Sequence, residues 1–121
     1  ISALEWIREN TPPGDVVLTT PDSAYWVEVV ARRNVIADSS DLPRSMRAAD
    51  AQALLTSKNF TKSQELFAAY GAKTILITKE MKEQLWHRDD EGLLFLIVNP
   101  NAFDNPYQDE FAEVWRVRER K

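Results

Sequence analysis

Apolar residues recur at helical spacing over Ala3, Leu4, Trp6 and Ile7, with Glu5, Arg8 and Glu9 between them, and Thr11-Pro12-Pro13-Gly14 stops the pattern. Val16 to Thr19 is instead a short β-branched run, which predicts a strand buried on both faces. A helix start follows. Thr20 suits its N-cap, Pro21 its first position and Asp22 the positive end of its dipole. This helix is expected to place Tyr25, Trp26, Val29 and Val30 on a shared apolar side before Arg32-Arg33-Asn34, after which Val35, Ile36 and Ala37 read as a second strand. A strand, a crossover helix and a strand make a right-handed parallel unit.

The polar stretch Asp38-Ser39-Ser40-Asp41 reads as a loop, and Arg44 to Ser57 as a third helix with Met46, Ala49, Ala53 and Leu54 on one side. Thr61-Lys62-Ser63-Gln64 fits a capping box for a fourth helix. Its core face would be Leu66, Phe67 and Tyr70, with Gly71 at the left-handed cap. Lys73 to Thr78 is a strand centred on Ile75, Leu76 and Ile77, and Lys79 to Trp86 continues as a helix capped by Thr78. Leu93 to Val98 fits a buried strand or a short helix equally well, and Asn99-Pro100-Asn101 ends it either way. Phe111 to Val117 alternates, with Phe111, Val114 or Trp115 and Val117 competing for the inside, and is expected to close the domain as an edge strand. The expected fold is a single α/β domain over residues 1–121: a mainly parallel, Rossmann-like sheet flanked by helices in three layers.

Composition changes this picture in three places. Hydrophobic residues at 44% and charged ones at 28% are ordinary globular usage, so the chain is expected to fold. With 15 basic and 19 acidic side chains the net charge is −4, which leaves no basic surplus for a phosphate backbone and argues against a nucleic-acid partner. Cysteine is absent, which removes thiol catalysis, disulfides and thiolate metal sites. The longest apolar run, Leu93 to Val98, is far shorter than the roughly 20 residues that span a bilayer. This piece is therefore expected to be soluble, with any membrane anchor upstream, and because the sequence opens at Ile1 without a methionine we expect an excised or processed fragment of a longer protein.

Candidate chemistry is sparse. His87 is the only histidine, so any Ser, His, Asp triad must use it, but Trp86-His87-Arg88-Asp89-Asp90 is a polar run without a strand-to-helix elbow. A small free-standing hydrolase is therefore a poor reading. Asp89, Asp90 and Glu91 lack the alternating spacing of a calcium loop, and Gly14, Gly71 and Gly92 form no phosphate-binding signature. Asp38 and Asp41 follow a predicted parallel strand, where ligands of open α/β sheets bind; the plainer reading is that Asp38 caps a turn and Asp41 merely precedes Pro43 in a loop. Asn59-Phe60-Thr61 is a formal N-glycosylation acceptor, informative if the domain faces an extracytoplasmic space. Trp6, Trp26, Trp86 and Trp115, with Tyr25 and Tyr70, are able to stack on sugar rings where exposed, but the helical apolar faces that carry Trp6 and Trp26 predict core packing for those two.

The segment from Asp15 through Thr20, Pro21, Asp22, Ser23, Ala24, Tyr25 and Trp26 to Val27, followed by Ala31 to Asp38, resembles the carboxy-terminal soluble domain of oligosaccharyltransferase catalytic subunits. The resemblance takes in the preceding helix, Ala3 to Pro12, and the stretch Tyr70 to Met81. In that family the equivalent segment carries a WWDYG motif. Here Asp22 matches its Asp and Tyr25-Trp26 the aromatic pair that follows, while Thr20-Pro21 replace the two tryptophans and Ser23-Ala24 replace Tyr-Gly.

The resemblance implies an extracytoplasmic domain that contributes to acceptor binding for glycan transfer from a lipid-linked donor. Asp22, Tyr25 and Trp26 are then the acceptor-facing residues, and Thr20, Ser23, Asp38 and Asp41 form a ligand-facing loop. It implies as partners the membrane-embedded half of the same chain, an acceptor polypeptide and a lipid-linked sugar. That half would hold a divalent metal; no cofactor, metal ligand or catalytic residue is assigned to this domain. Because the tryptophans are replaced, the alternative is a non-catalytic binding or assembly module of another membrane glycosyltransferase of the GT-C kind.

Overall fold

A computed structural model of the chain describes residues 2–37, 45–86, 88 and 90–118. The elements run α1 (Ala3–Asn10), β1 (Val16–Leu18), α2 (Pro21–Trp26), a π-helical turn (Val27–Ala31) and β2 (Asn34–Val35). They continue with α3 (Met46–Thr56), α4 (Phe60–Tyr70), β3 (Ala72–Thr78), α5 (Lys79–Leu85), α6 (Gly92–Ile97), β4 (Phe103–Gln108) and β5 (Ala112–Val117).

Their starts follow local chemistry. Ser2, Ser45, Asn59 and Thr78 each accept a backbone N–H from the first turn of α1, α3, α4 and α5. The cap of α4 is thus Asn59 and not Thr61, because the Asn59 amide oxygen reaches the Lys62 N–H at 3.0 Å. Gly71 ends α4 in the left-handed conformation, as its position predicts. The ambiguous run after Gly92 is the helix α6, which buries Leu93, Leu94, Leu96 and Ile97.

The five strands form one sheet in the order β2-β1-β3-β5-β4. β2, β1 and β3 are parallel, but β5 runs antiparallel to β3 and β4 antiparallel to β5, so the expected mainly parallel, Rossmann-like sheet is corrected to a mixed one. The physical reason is the short β4–β5 connection: a tight hairpin can join only antiparallel neighbours. β5, expected at the edge, lies inside the sheet, and the edge belongs to β4, whose sequence predicted no strand. Pro106 is tolerated there because an edge strand leaves N–H positions unpaired. Between Asp104 and Tyr107 the register shifts, and the Asn105 side-chain amide fills the gap by donating to the Tyr107 and Val114 carbonyls at 2.9 and 2.8 Å.

The shift turns the strand over. Phe103 faces the helices α3 to α6, and Tyr107 faces α1 and α2. On the first face Leu18, Leu54, Leu55, Phe67, Ile75, Ile77, Met81, Trp86 and Leu93 make the larger core. Gly92 seals it: at φ +50° it packs on α3, and an added Cβ would come within 2.6 Å of the Leu55 carbonyl oxygen. That oxygen also accepts the Trp86 indole N–H at 2.9 Å.

On the second face Ala3, Ile7, Val17, Ala24, Val27, Ala31, Val35, Leu76 and Val114 make a smaller core. Arg33, itself buried, holds the helix ends there. Its five N–H donors go to the Thr11 hydroxyl and to the carbonyls of Ala31, Arg32, Arg8 and Thr11. The last turns of α1 and of the π-helix, whose carbonyls lack intrahelical partners, are thereby closed by one guanidinium. Arg47 of α3 secures β2 from the other side, donating to the Val35 and Ile36 carbonyls at 2.8 and 2.7 Å.

Three side-chain expectations are corrected. Met46 is 78% exposed, and α3 buries Ala51, Leu54 and Leu55 in its place. Phe111 sits on the hairpin turn, exposed, while Val114 and Trp115 both find apolar neighbours because the sheet is covered on both faces. Tyr25, Trp26 and Val29 are exposed as well, for the reason given next.

Candidate functional site

α2 and the π-helical turn that continues it offer two apolar stripes, and the sheet took the one made of small residues. Ala24, Val27 and Ala31 face the sheet, spaced three and four apart. Small side chains let the helix approach closely, and the stripe of Tyr25, Trp26 and Val29 is turned outward. Tyr25 and Trp26 are each 54% exposed, edge to face at 5.2 Å between ring centroids. Trp26 is therefore not a core residue. Trp6 is partly buried, between Tyr107 at 6.2 Å and the Arg116 guanidinium at 5.7 Å.

The helix starts where β1 ends, at the carboxyl end of the parallel strands. Thr20 is its N-cap by backbone geometry, but its hydroxyl makes no cap bond and lies 3.4 Å from the Ser23 hydroxyl. Asp22 is exposed in the first turn. The structure thus brings Thr20, Asp22, Ser23, Tyr25 and Trp26 onto one short helix. Asp38 and Asp41 lie outside the described residues, as do His87 and Asp89.

Two features bound this end of the sheet. Thr19, buried beneath it, donates its hydroxyl to the Met81 sulfur at 3.5 Å, which closes the space between the β1 and β3 ends. Beside Pro21 and Ala37 a cleft of about 580 Å³ follows α3 past Ala48, Ala49 and Gln52. Its walls are short and largely apolar. The exposed Asp22 carboxylate and the two half-exposed rings on the helix that begins at Pro21 make a surface suited to binding, and among the described residues it shows no nucleophile paired with a base.

A larger basin, of about 690 Å³, lies at the opposite end of the sheet, and sequence reasoning missed it. Lys73, Arg116, Asp15 and Asp104 line it. Asp15 is already engaged: its carboxylate accepts the Val16 N–H at 2.9 Å and the Thr74 hydroxyl at 2.7 Å, tying β1 to β3. No local sequence signal announces this pairing of residues 59 positions apart. Among the described residues no group of three or more His, Cys, Asp or Glu side chains could hold a metal ion, and no helix is long and apolar enough to cross a membrane.

No family model and no curated protein matches the chain. Solved structures do. The C-terminal globular domain of an oligosaccharyltransferase from Archaeoglobus fulgidus superposes with a TM-score of 0.72 over 96% of this chain and 94% of that one, at 15% identity. An Archaeoglobus fulgidus oligosaccharyltransferase tethered to an acceptor peptide containing the NVT sequon, and the same enzyme in the apo form, each match at a TM-score of 0.57 and 21% identity. In both the match covers 66% of this chain and 13% of the other. At these identities it is the fold that is shared: the resemblance read from the sequence is met by a chain that folds, over nearly its whole length, like the C-terminal globular domain of an archaeal oligosaccharyltransferase.

Proposed function

We propose that this domain is the extracytoplasmic carboxy-terminal part of an oligosaccharyltransferase-like membrane protein. In this reading it helps bind the acceptor for glycan transfer from a lipid-linked donor. The observation that carries it is the near-complete match of fold to the oligosaccharyltransferase domain. The outward stripe of α2 supports it, because it holds the Asp22, Tyr25 and Trp26 that the resemblance assigns to the acceptor. The Asp22 carboxylate would accept an N–H or O–H from the acceptor, and the two rings would cover its apolar parts.

Chemistry belongs in this reading to the membrane-embedded half, with its divalent metal. Among the described residues of this domain no cluster of His, Cys, Asp or Glu side chains fits a metal. Asp22→Ala in the full-length protein should lower transfer by on the order of tenfold, the value of one charged hydrogen bond. As a first-turn acid it should cost the fold at most about 0.3 to 1 kcal/mol. Transfer unchanged at equal protein level would sink the assignment.

A second reading is a non-catalytic assembly module of another GT-C glycosyltransferase. The exposed Tyr25, Trp26 and Val29 favour it, since an apolar stripe with a single carboxylate also suits packing against protein. The double variant Tyr25→Ala, Trp26→Ala separates the two. A raised acceptor KM at normal abundance supports acceptor binding, whereas loss of the intact protein from the membrane supports assembly.

A further inference from the structure

The Asn59-Phe60-Thr61 tripeptide is used by the fold in a way that leaves its chemistry open. Asn59 is the exposed N-cap of α4, at the end of the loop that leaves α3. Its amide oxygen accepts the Lys62 N–H at 3.0 Å, and its backbone N–H donates to the Ser57 hydroxyl at 3.0 Å. Neither bond uses Nδ2. Thr61, on the first turn of the helix, is exposed too. Backbone at Asn59 is extended, with φ −81° and ψ 99°, and its side chain turns back to the first turn of α4 through the amide oxygen, which leaves Nδ2 out of both bonds.

We propose that Asn59 is an N-glycan attachment site. This rests on the extracytoplasmic placement proposed above, though not on the roles of Asp22, Tyr25 and Trp26. The co-reactant is a saccharide linked through phosphate to a lipid. Nδ2 attacks the anomeric carbon, a C–N bond forms, the C–O bond to the phosphate breaks, and one Nδ2 proton passes to a base or to water while the lipid phosphate leaves. The product is a secondary amide that keeps its oxygen, so the bond to Lys62 N–H survives and α4 stays capped. A glycan here is compatible with the folded domain, which is not true of an asparagine whose NH₂ holds the structure, such as Asn105 with its two carbonyl partners.

The full-length protein is purified from membranes of the cells that make it, and the peptide spanning Asn59 is analysed by mass spectrometry. A mass gain in whole-sugar increments on Asn59 is expected, lost in Thr61→Ala and kept in Thr61→Ser. Asn59→Asp, which retains the capping oxygen without Nδ2, should lose the gain with no change in melting temperature. In parallel, an impermeant label applied to sealed cells reports the side on which the domain sits. A wholly unmodified peptide in an externally labelled protein overturns the glycan site and leaves the proposed function standing; an unmodified peptide in a protein shielded from label overturns both.

Discussion

Against one face of the sheet Leu54, Leu55, Phe67, Trp86 and Leu93 fill the space beneath α3 to α6 with large side chains; against the other, Ala3, Ala24 and Ala31 bring α1 and α2 close with little volume between. The first face is held by apolar burial, at about 1.5 to 3 kcal/mol for each large side chain. The second has fewer such groups and adds polar closures: Arg33 across two helix ends, Arg116 over Trp6, and the Tyr107 hydroxyl on Asp109 at 2.5 Å. Close approach by small residues is also what turns Tyr25 and Trp26 to the outside. The face that contributes less volume to the core is the one able to present large aromatic groups to a partner.

If that contrast is right, the largest single loss should come from the tightest point of the larger core. Gly92→Ala forces a Cβ against the backbone of α3 at a positive φ, and should cost about 2 to 4 kcal/mol in denaturant unfolding. A change below about 1 kcal/mol would show that α6 yields easily and that this face is softer than its packing implies. On the other face Arg33→Met keeps the side-chain length but leaves four carbonyls without their donor, for an expected loss of about 1 to 3 kcal/mol. An equally stable Arg33→Met would mean that water replaces the guanidinium, and that the polar closure is dispensable.

The hairpin supplies a pH-dependent test. The hydrogen bond from Tyr107, then the N–H groups of Phe111 and Ala112, hold the Asp109 carboxyl below the usual carboxylate range. The same bond to Asp109, with burial and the neighbouring negative charge, pushes the Tyr107 phenol up to about 12. A lowered carboxyl stabilises the fold above its unfolded value of about 3.9 and ceases to do so as pH falls through the folded value. A raised phenol stabilises below about 10 and loses that effect as pH rises towards the folded value. Tyr107 ring resonances should therefore titrate late and return towards the ordinary range in Asp109→Asn.

The smallest effect sharpens the contrast by its sign. Ser63 is buried in α4 on the larger face, and its hydroxyl finds no hydrogen-bond partner. Ser63→Ala should be neutral or stabilising by about 0.5 kcal/mol, since alanine is the better helix former and no bond is lost. A clear destabilisation would reveal a further polar contact on this face, beside the Trp86 indole N–H on the Leu55 carbonyl.

Much of the fold was legible because its causes are local. The caps at Thr78 and Gly71, the proline at the first position of α2, and the runs Val16 to Leu18 and Ile75 to Ile77 each announce an element within a few residues. The candidate site was legible in the same way, as a helix start following a strand, with Asp22 in its first turn. What failed was choice among equal local options. Tyr25, Trp26 and Val29 fit a buried stripe as well as Ala24, Val27 and Ala31 do, and Thr61 fits a cap as well as Asn59. β4 was hidden because Pro106 argues against a strand unless the strand is known to lie at an edge.

By itself, then, the sequence determined an α/β chain of capped helices and short strands, with Asp22, Tyr25 and Trp26 carried on one short helix. Only the tertiary structure decided that the sheet is mixed, which stripe of α2 faces water, and that Arg33 and Asp15 are spent on closing the fold. The reason is range: capping and turn chemistry act over three or four residues, while strand order, face selection and buried hydrogen bonds depend on partners brought together from far along the chain.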